Sequence, residues 1–310
     1  MNLWTEDDVR SRLTLSEVIG SLEAVLSHEA AGSAWNLDKT MTTWPHGEGR
    51  GSAHALGALD READLAIFKT WVNTPAGASA LMTMFTAGDG ATLGVAEAGA
   101  AGAFRTAAIA GVATRWLAAP DADELAVLGA GRQALRQVEA IAAVRPLRRV
   151  RLWNRTADRA HALAEQVQDR LGIATAVTDT VEEVTRDVRI VTLITRAQEP
   201  FLRLEHLASG AHLNAVGAIL PSHAEFDPGL LEESALTVVD SEANARRGSR
   251  ELREHFGTVD SDGWGTLRSL CDVVAGKAER PSSPRCTVFK GMGMGLSDLA
   301  VARLLVGGRS

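Results

Sequence analysis

Apolar residues recur along this chain in two rhythms, and the change between them outlines its organisation. In the first third, Val18, Leu22, Val25 and Leu26 lie at helical spacing. Thr5, followed by acidic residues, reads as the N-cap of an earlier helix. Strand-like runs follow at Thr40–Trp44, Leu65–Val72, Leu81–Thr86 and Ala91–Val95. The last two flank Gly88-Asp-Gly90, a hairpin signal. An alanine-rich helical stretch from about Ala103 to Leu117 leads into a different pattern. There, short continuous apolar runs alternate with helices. The strands are Leu125–Leu128, Val150–Trp153, Ile190–Ile194, Leu213–Val216, Leu236–Val239 and Cys286–Lys290. Helices are expected after Leu128 as far as Pro146, at Ala157–Leu171 and from about Ser297. Continuous apolar strands alternating with helices predict a parallel sheet covered on both faces.

The fold class is therefore α/β: a Rossmann-type doubly wound sheet preceded by a mixed α+β domain. A length of 310 residues allows two domains with cores of their own. A net charge of −7 argues against nucleic-acid or anionic-membrane partners. No run approaches the roughly 18 apolar residues of a membrane span. The acidic N-terminus lacks a signal-peptide pattern, and the expected location is cytoplasmic. Cys271 and Cys286, in no ligand-like spacing, read as reduced thiols without a metal site.

The chemistry begins at Leu125-Ala-Val-Leu-Gly-Ala-Gly-Arg-Gln-Ala134, a strand, a glycine turn and a helix start in the G-x-G-x-x-A form. Gly129 permits the tight turn, Gly131 admits a pyrophosphate, and Ala134 allows close helix packing. Arg132 and Gln133 complete the turn at a helix N-terminus, whose N–H groups favour anions. The bland reading is a glycine-rich turn that binds no nucleotide. At the end of the second strand, an acid would bind the ribose 2′-OH of NAD. This chain has Asn154, Arg155 and Thr156 there. Asn does not repel a 2′-phosphate and Arg155 can pair with one, so NADPH is expected over NADH. The alternative is that Arg155 is solvated and Asn154 caps the next helix.

Further along, Leu152-Trp-Asn-Arg-Thr, Leu213-Asn-Ala-Val-Gly-Ala with Pro221 and Glu225, Val239-Asp-Ser, and Thr287-Val-Phe-Lys-Gly with Asp298 follow in order. Phe68-Lys69 and Phe104-Arg-Thr-Ala-Ala108 precede them. Together these resemble the ornithine cyclodeaminase/mu-crystallin family, over nearly the whole chain. The resemblance implies a substrate-binding and dimerisation domain at 1–117 with 291–310, and a dinucleotide domain at 118–290. It implies a homodimer acting in amino-acid metabolism on a small imino or amino acid. It also places Thr195, Val216, Gly217, Lys290 and Gly291 at the nucleotide.

Family chemistry passes through an imino acid beside a carboxylate. Such a site needs a cation to hold the carboxylate and a means to keep the imine protonated. By resemblance, Arg105 clamps the carboxylate and Lys69 shares that task or donates the proton. Helix-surface and solvent-facing positions are the respective alternatives. His54, where the family's next strand ends, is a candidate proton donor or a structural histidine. Lys39 lies near the place of a further family arginine for the carboxylate, and His223 stands in a commonly basic loop. Glu225 holds the Pro221 loop or is a surface carboxylate. Asp240 is a strand-end ligand or a helix cap. The acid/base Asp of the cyclodeaminases falls at Ile219, which cannot move protons. That departure and Asn154-Arg155 both favour the branch of NADPH-dependent ketimine reductases. The alternatives are an amino-acid dehydrogenase, a cyclodeaminase, or a non-catalytic NADPH-binding protein.

Overall fold

A computed structural model describes residues 2–307; Met1 and residues 308–310, assigned above to the first domain, lie outside the described residues. The chain forms two compact units, one of residues 1–108 with 294–310 and one of residues 109–293.

The first unit is built on six strands: β1 (Asn2–Trp4), β2 (Ala34–His46), β3 (Gly49–Asp60), β4 (Leu65–Thr74), β5 (Gly77–Phe85) and β6 (Thr92–Glu97). Their order is β1-β6-β5-β4-β3-β2, with β1 parallel to β6 and every other pair antiparallel. Two helices precede the long hairpins, α1 (Glu6–Arg12) and α2 (Leu15–Ala30). Thr5 and Thr14 cap them with reciprocal boxes to Asp8 and Glu17. Alternation in β4 puts Leu65, Ile67 and Lys69 on the buried face and Phe68 on the open one. The helix Gly295–Gly307 is apolar around most of its circumference and correspondingly buried. Gly295 lets its start approach β3, because a Cβ there would meet the Gly57 carbonyl.

The apolar pattern does not reveal the strand β3, and β2 extends well beyond Thr40–Trp44. His54 accordingly sits in mid-strand, a correction to its expected place at a strand end. The helix α3 (Gly99–Leu117) crosses the division between units at residue 108, whereas the expected boundary followed it.

The second unit holds eight parallel strands: β7 (Glu124–Leu128), β8 (Arg149–Trp153), β9 (Ala174–Val177), β10 (Ile190–Leu193), β11 (Ala211–Ala215), β12 (Ser234–Val239), β13 (Arg268–Ser269) and β14 (Cys286–Lys290). Their order is β13-β12-β14-β11-β10-β7-β8-β9. From β7 the chain winds outward through β8 and β9, then crosses back to β10. That makes the C-terminal ends of β7 and β10 a switch point, where open α/β sheets bind ligands. The helices α4 (Ala134–Ala142) and α5 (Ala157–Leu171) follow β7 and β8. Val127, Leu152, Val138, Ile141 and Val167 pack together on one side of the sheet. Arg145, beyond α4, donates to the carbonyls of Thr114, Arg115 and Ala118, which closes the C-terminal end of α3. The second core gathers Leu213, Phe226, Leu252 and Trp264.

Candidate functional site

In the first unit, the strand register and the terminal helix assemble a cluster of cations around one carboxylate. Lys69 is buried, and its Nζ donates to Asp298 Oδ1 at 2.7 Å. Asp298 is fully buried, one turn into the terminal helix. Arg105, from α3, places its Nε 3.8 Å from the same oxygen, beyond hydrogen-bond reach. Arg105 Nε and Asp298 Oδ2 are both buried and have no hydrogen-bond partner among the described residues. Gly102, one turn before Arg105, leaves room for the Lys69 ammonium; a Cβ there would stand 3.4 Å from it.

Trp71 forms the wall of this cluster. Its ring stacks on His54 with centroids 4.6 Å apart and planes within 2°. Direct pairing of His54 with Trp71 across β3 and β4 creates that stack. The ammonium groups of Lys39 and Lys69 lie 5.4 and 5.7 Å from the Trp71 centroid. Desolvation first, then repulsion by Arg105 and Lys69, holds the Lys39 pKa below its ordinary value. Burial and the Lys39 charge do the same to His54, which is neutral near pH 7. His54 Nε2 lies 2.9 Å from Ser52 Oγ, while its Nδ1 is buried without a partner among the described residues. Lys69, Arg105 and His54, named separately from the sequence, are thus in one cluster. Neither a role for Asp298 nor the place of Trp71 was evident from the sequence. A lone acid inside an apolar helix was the available signal for Asp298.

In the second unit, the turn after β7 has the properties a pyrophosphate requires. Gly129 has φ +118, and a Cβ there would stand 2.6 Å from the Ile194 carbonyl. Gly131 is exposed, and a Cβ on it would meet nothing within 4 Å, so its backbone faces open space. Gln133 precedes α4 without a side-chain cap bond. Those residues fit a dinucleotide phosphate on N–H groups at a helix start. Arg132, Arg155 and Thr156 are exposed nearby along the chain. Asn154 does not cap α5. Its Oδ1 accepts from Ala130 N at 3.1 Å and its Nδ2 donates to the Thr156 carbonyl at 2.9 Å. It ties the glycine turn to the end of β8.

Several residues expected at the nucleotide have bonds within the scaffold. Lys290 is completely buried and donates to Glu251 Oε1 at 2.9 Å, so its side chain is unavailable to a ligand. Glu225 is equally buried, which corrects its surface alternative. It accepts from the N–H groups of Thr195, Gly217 and Ala218 and from the Thr195 hydroxyl. Thr195 Oγ1 also accepts from Ala197 N. Burial pushes the Glu225 pKa up, opposed by the Lys290 charge and these donors. Gly217 is required where it stands, because a Cβ would collide with the Thr195 backbone. Val216 and Gly291 are buried, with Gly291 N donating to the Ala215 carbonyl at 3.1 Å. Asp240 is not the cap of the next helix. It accepts from the N–H groups of Met292 and Gly293 at 2.8 and 2.7 Å, while Ser241 caps the next helix. His223 Nδ1 lies 3.0 Å from Ser222 Oγ. Ile219 is 42% exposed and carries no proton. Among the described residues no group of three or more potential metal ligands occurs, and no helix is long and apolar enough to cross a membrane.

The profile of the ornithine cyclodeaminase/mu-crystallin family matches residues 2–307. The chain belongs to that family. It is 31% identical over 308 residues to the ketimine reductase mu-crystallin of Rattus norvegicus, a match covering 96% of this chain and 94% of that protein. It is 33% identical over 202 residues to a delta(1)-pyrroline-2-carboxylate reductase of Bacillus cereus, covering 65% of this chain and 62% of that one. In three dimensions it is similar to the Thermococcus litoralis delta(1)-pyrroline-2-carboxylate reductase solved with NADH and L-proline. The TM-score is 0.89 at 24% identity, over 99% of this chain and 97% of the other. That likeness shows the shared fold.

Proposed function

We propose that this protein is an NADPH-dependent reductase of an imino acid, converting a C=N bond beside a carboxylate to the amino acid. The observation that carries the reading is the cation cluster of the first unit. Lys69 and Arg105 surround a single carboxylate, Asp298, with a buried Arg105 N–H unspent. Such a surplus of donors and positive charge suits a substrate carboxylate. The reductases among its family relatives support the same chemistry.

Each residue then has a part. Arg105 and Lys69 hold the α-carboxylate, and Asp298 fixes the Lys69 ammonium. In the tautomer that donates Nε2–H to Ser52, His54 offers Nδ1 as acceptor to the protonated imine nitrogen. A neutral acceptor there favours the iminium, which takes hydride far better than a neutral imine. A reduced nicotinamide, when bound, supplies the hydride to the imine carbon. The glycine turn at Gly129 and Gly131 would hold its pyrophosphate, and Arg155 with Arg132 would pair with a 2′-phosphate. No acid stands at the end of β8 to favour NADH. Ile219 in the cyclodeaminase acid position favours reduction over ammonia loss and ring closure.

The open face of the six-stranded sheet supports a homodimer. Trp35, Leu37, Phe68, Val72 and Leu81 are each more than 40% exposed and project from that one face. Light scattering should give twice the chain mass, and Phe68→Lys should release monomer.

The test is NADPH and NADH oxidation with pyrroline-2-carboxylate, piperideine-2-carboxylate, and 2-oxo acids mixed with ammonia or methylamine. Turnover is expected with NADPH in preference to NADH, and Arg155→Ala should narrow that preference. Ammonia release from an amino acid with no imine reduction would instead favour a dehydrogenase or cyclodeaminase.

A further inference from the structure

One buried chain of bonds ties together the C-terminal ends of three neighbouring strands in the second unit, β14, β11 and β10. Lys290, at the end of β14, donates to Glu251 Oε1 at 2.9 Å, and the same oxygen accepts from Glu225 N at 3.1 Å. The Glu225 carboxylate then divides between two turns. Its Oε1 accepts from Thr195 N and Thr195 Oγ1, just after β10, at 2.6 and 2.8 Å. Its Oε2 accepts from Gly217 N and Ala218 N, just after β11, each at 2.9 Å. The backbone of Glu225 is fixed separately. Its carbonyl accepts from Phe201 N and Leu202 N, and Phe226 bridges Leu202. The carboxylate thus stands on a held peptide and sets the level of both turns. Those turns are in close contact, since a Cβ on Gly217 would collide with the Thr195 backbone and with Glu225 Oε1.

Sheet order gives this bracket a place. The phosphate turn follows β7, and Asn154 binds it from the end of β8. A dinucleotide whose adenosine half extends toward β8 runs its other half across β10 and β11, at the strand ends where open sheets bind ligands. We propose that Glu225 is a positioning residue for the nicotinamide half of the cofactor, holding the Thr195 and Gly217 turns as one seat for the ring. This inference rests on the NADPH reading above and deepens it. Every partner of the carboxylate is a donor, so the ionised acid is the form that fits. Burial opposes ionisation, and these donors with the Lys290 charge offset it. An amide in the same place does not fit. Whichever way it is turned, its NH2 faces at least one backbone N–H, and that turn must move or leave a buried donor unpaired. Movement of either turn misplaces the ring relative to the imine carbon, and about 1 Å of misplacement costs on the order of 100-fold in rate. The adenosine side, on Gly131 and Arg155, does not depend on this bracket.

The experiment compares wild type with Glu225→Gln, Glu225→Asp and Leu252→Ala. The last opens a cavity in the same core without touching either turn. Calorimetric titration uses NADPH and adenosine 2′,5′-diphosphate, which lacks the nicotinamide half. Both Glu225 variants should bind NADPH at least about tenfold more weakly and hold the diphosphate within about twofold. Their kcat should fall at least about tenfold with the imino-acid KM within about twofold. Leu252→Ala should melt earlier yet keep the wild-type ratio of the two affinities. Equal losses on both ligands, or no loss on either, in a folded Glu225 variant would overturn the inference and leave the NADPH reading standing. Hydrogen exchange on nucleotide-free wild type should find the Thr195, Gly217 and Ala218 amides protected; rapid exchange there would overturn the inference even if neither Glu225 variant folds. Wild type that binds neither ligand would overturn the NADPH reading and the inference with it.

Discussion

Each unit of this protein buries a lysine against a carboxylate, and the two pairs have opposite surroundings. Lys69 meets Asp298 at 2.7 Å, and Lys290 meets Glu251 at 2.9 Å. Around Lys69 stand two more cations, Arg105 and Lys39, with a buried donor and a buried acceptor left unpaired. Around Lys290 stands a second buried carboxylate, Glu225, and each side-chain nitrogen and oxygen of the three residues has a hydrogen-bond partner. Glu251 also accepts from Ser249 Oγ at 3.0 Å and from Glu225 N at 3.1 Å. Glu225 in turn gathers backbone N–H groups from the ends of β10 and β11. A buried ion pair by itself therefore says little about function. Unspent valence and unbalanced charge mark a binding site, whereas saturation marks a scaffold. From sequence both lysines looked like ligand-contacting residues; their surroundings separate them.

Removing one partner should separate the two pairs most strongly. Lys290→Met strands Glu251 and should cost about 3–5 kcal/mol of stability by urea unfolding. Lys69→Met should cost about half as much, because Arg105 is already 3.8 Å from Asp298 and can take over its charge. Equal losses would sink the distinction between the two pairs.

The two glycines of the nucleotide turn should separate in the same manner. Gly129→Ala should lower stability by more than about 1 kcal/mol, given its positive φ and the crowding Ile194 carbonyl. Gly131→Val should leave the unfolding midpoint nearly unchanged while weakening NADPH binding by at least about tenfold, or 1.4 kcal/mol. Calorimetric titration checks the second effect.

Acid should weaken the second unit through His212. Burial lowers its pKa from 6.5 to about 3, and it is bonded to Thr287 and Asn214 as a neutral ring. The unfolded chain therefore binds the extra proton between those values. Stability contributed here is present above pH 6.5 and falls by about 1.4 kcal/mol per unit below it. Glu225, whose pKa is raised in the fold, acts in the opposite sense above its ordinary value of 4.5. Comparing wild type with His212→Gln at pH 5 and pH 7 isolates the histidine: the variant should lose part of the pH slope. The smallest expected effect is chemical. Cys286 is buried with its thiol pushed up to about 11, so a thiol reagent should label half-buried Cys271 first.

The dinucleotide half was legible because its signals are local. An apolar strand, a glycine turn and a helix start lie within one stretch of chain, and β7, β8, β10 and β11 fall where the apolar runs predict. The first unit was harder. The strand β3 escaped notice because it is built of small residues, and those residues are small for reasons lying elsewhere. Gly51 lies under the Trp44 ring, which a Cβ would strike, and Gly57 would collide at 2.8 Å with the Ile67 carbonyl and Leu37. Weak strand propensity in β3 is the price of large neighbours on β2 and β4. The cluster was half legible. Lys69 follows Leu65 and Ile67 in strict alternation, which places it on the buried face. Its partner Asp298 lies 229 positions away, and only the fold brings them together.

The proposed reduction depends on Arg105 and Lys69 as a carboxylate clamp. Its most direct test is Arg105→Ala, measured for imino-acid KM and kcat and, separately, for NADPH affinity. The clamp predicts a loss in kcat/KM of about 100-fold or more, carried largely by KM, as expected for truncating one side of a buried charge pair. NADPH affinity should stay within about twofold, well under the 1.4 kcal/mol of a tenfold change. An unchanged KM for the imino acid in a folded Arg105→Ala protein would rule the clamp out.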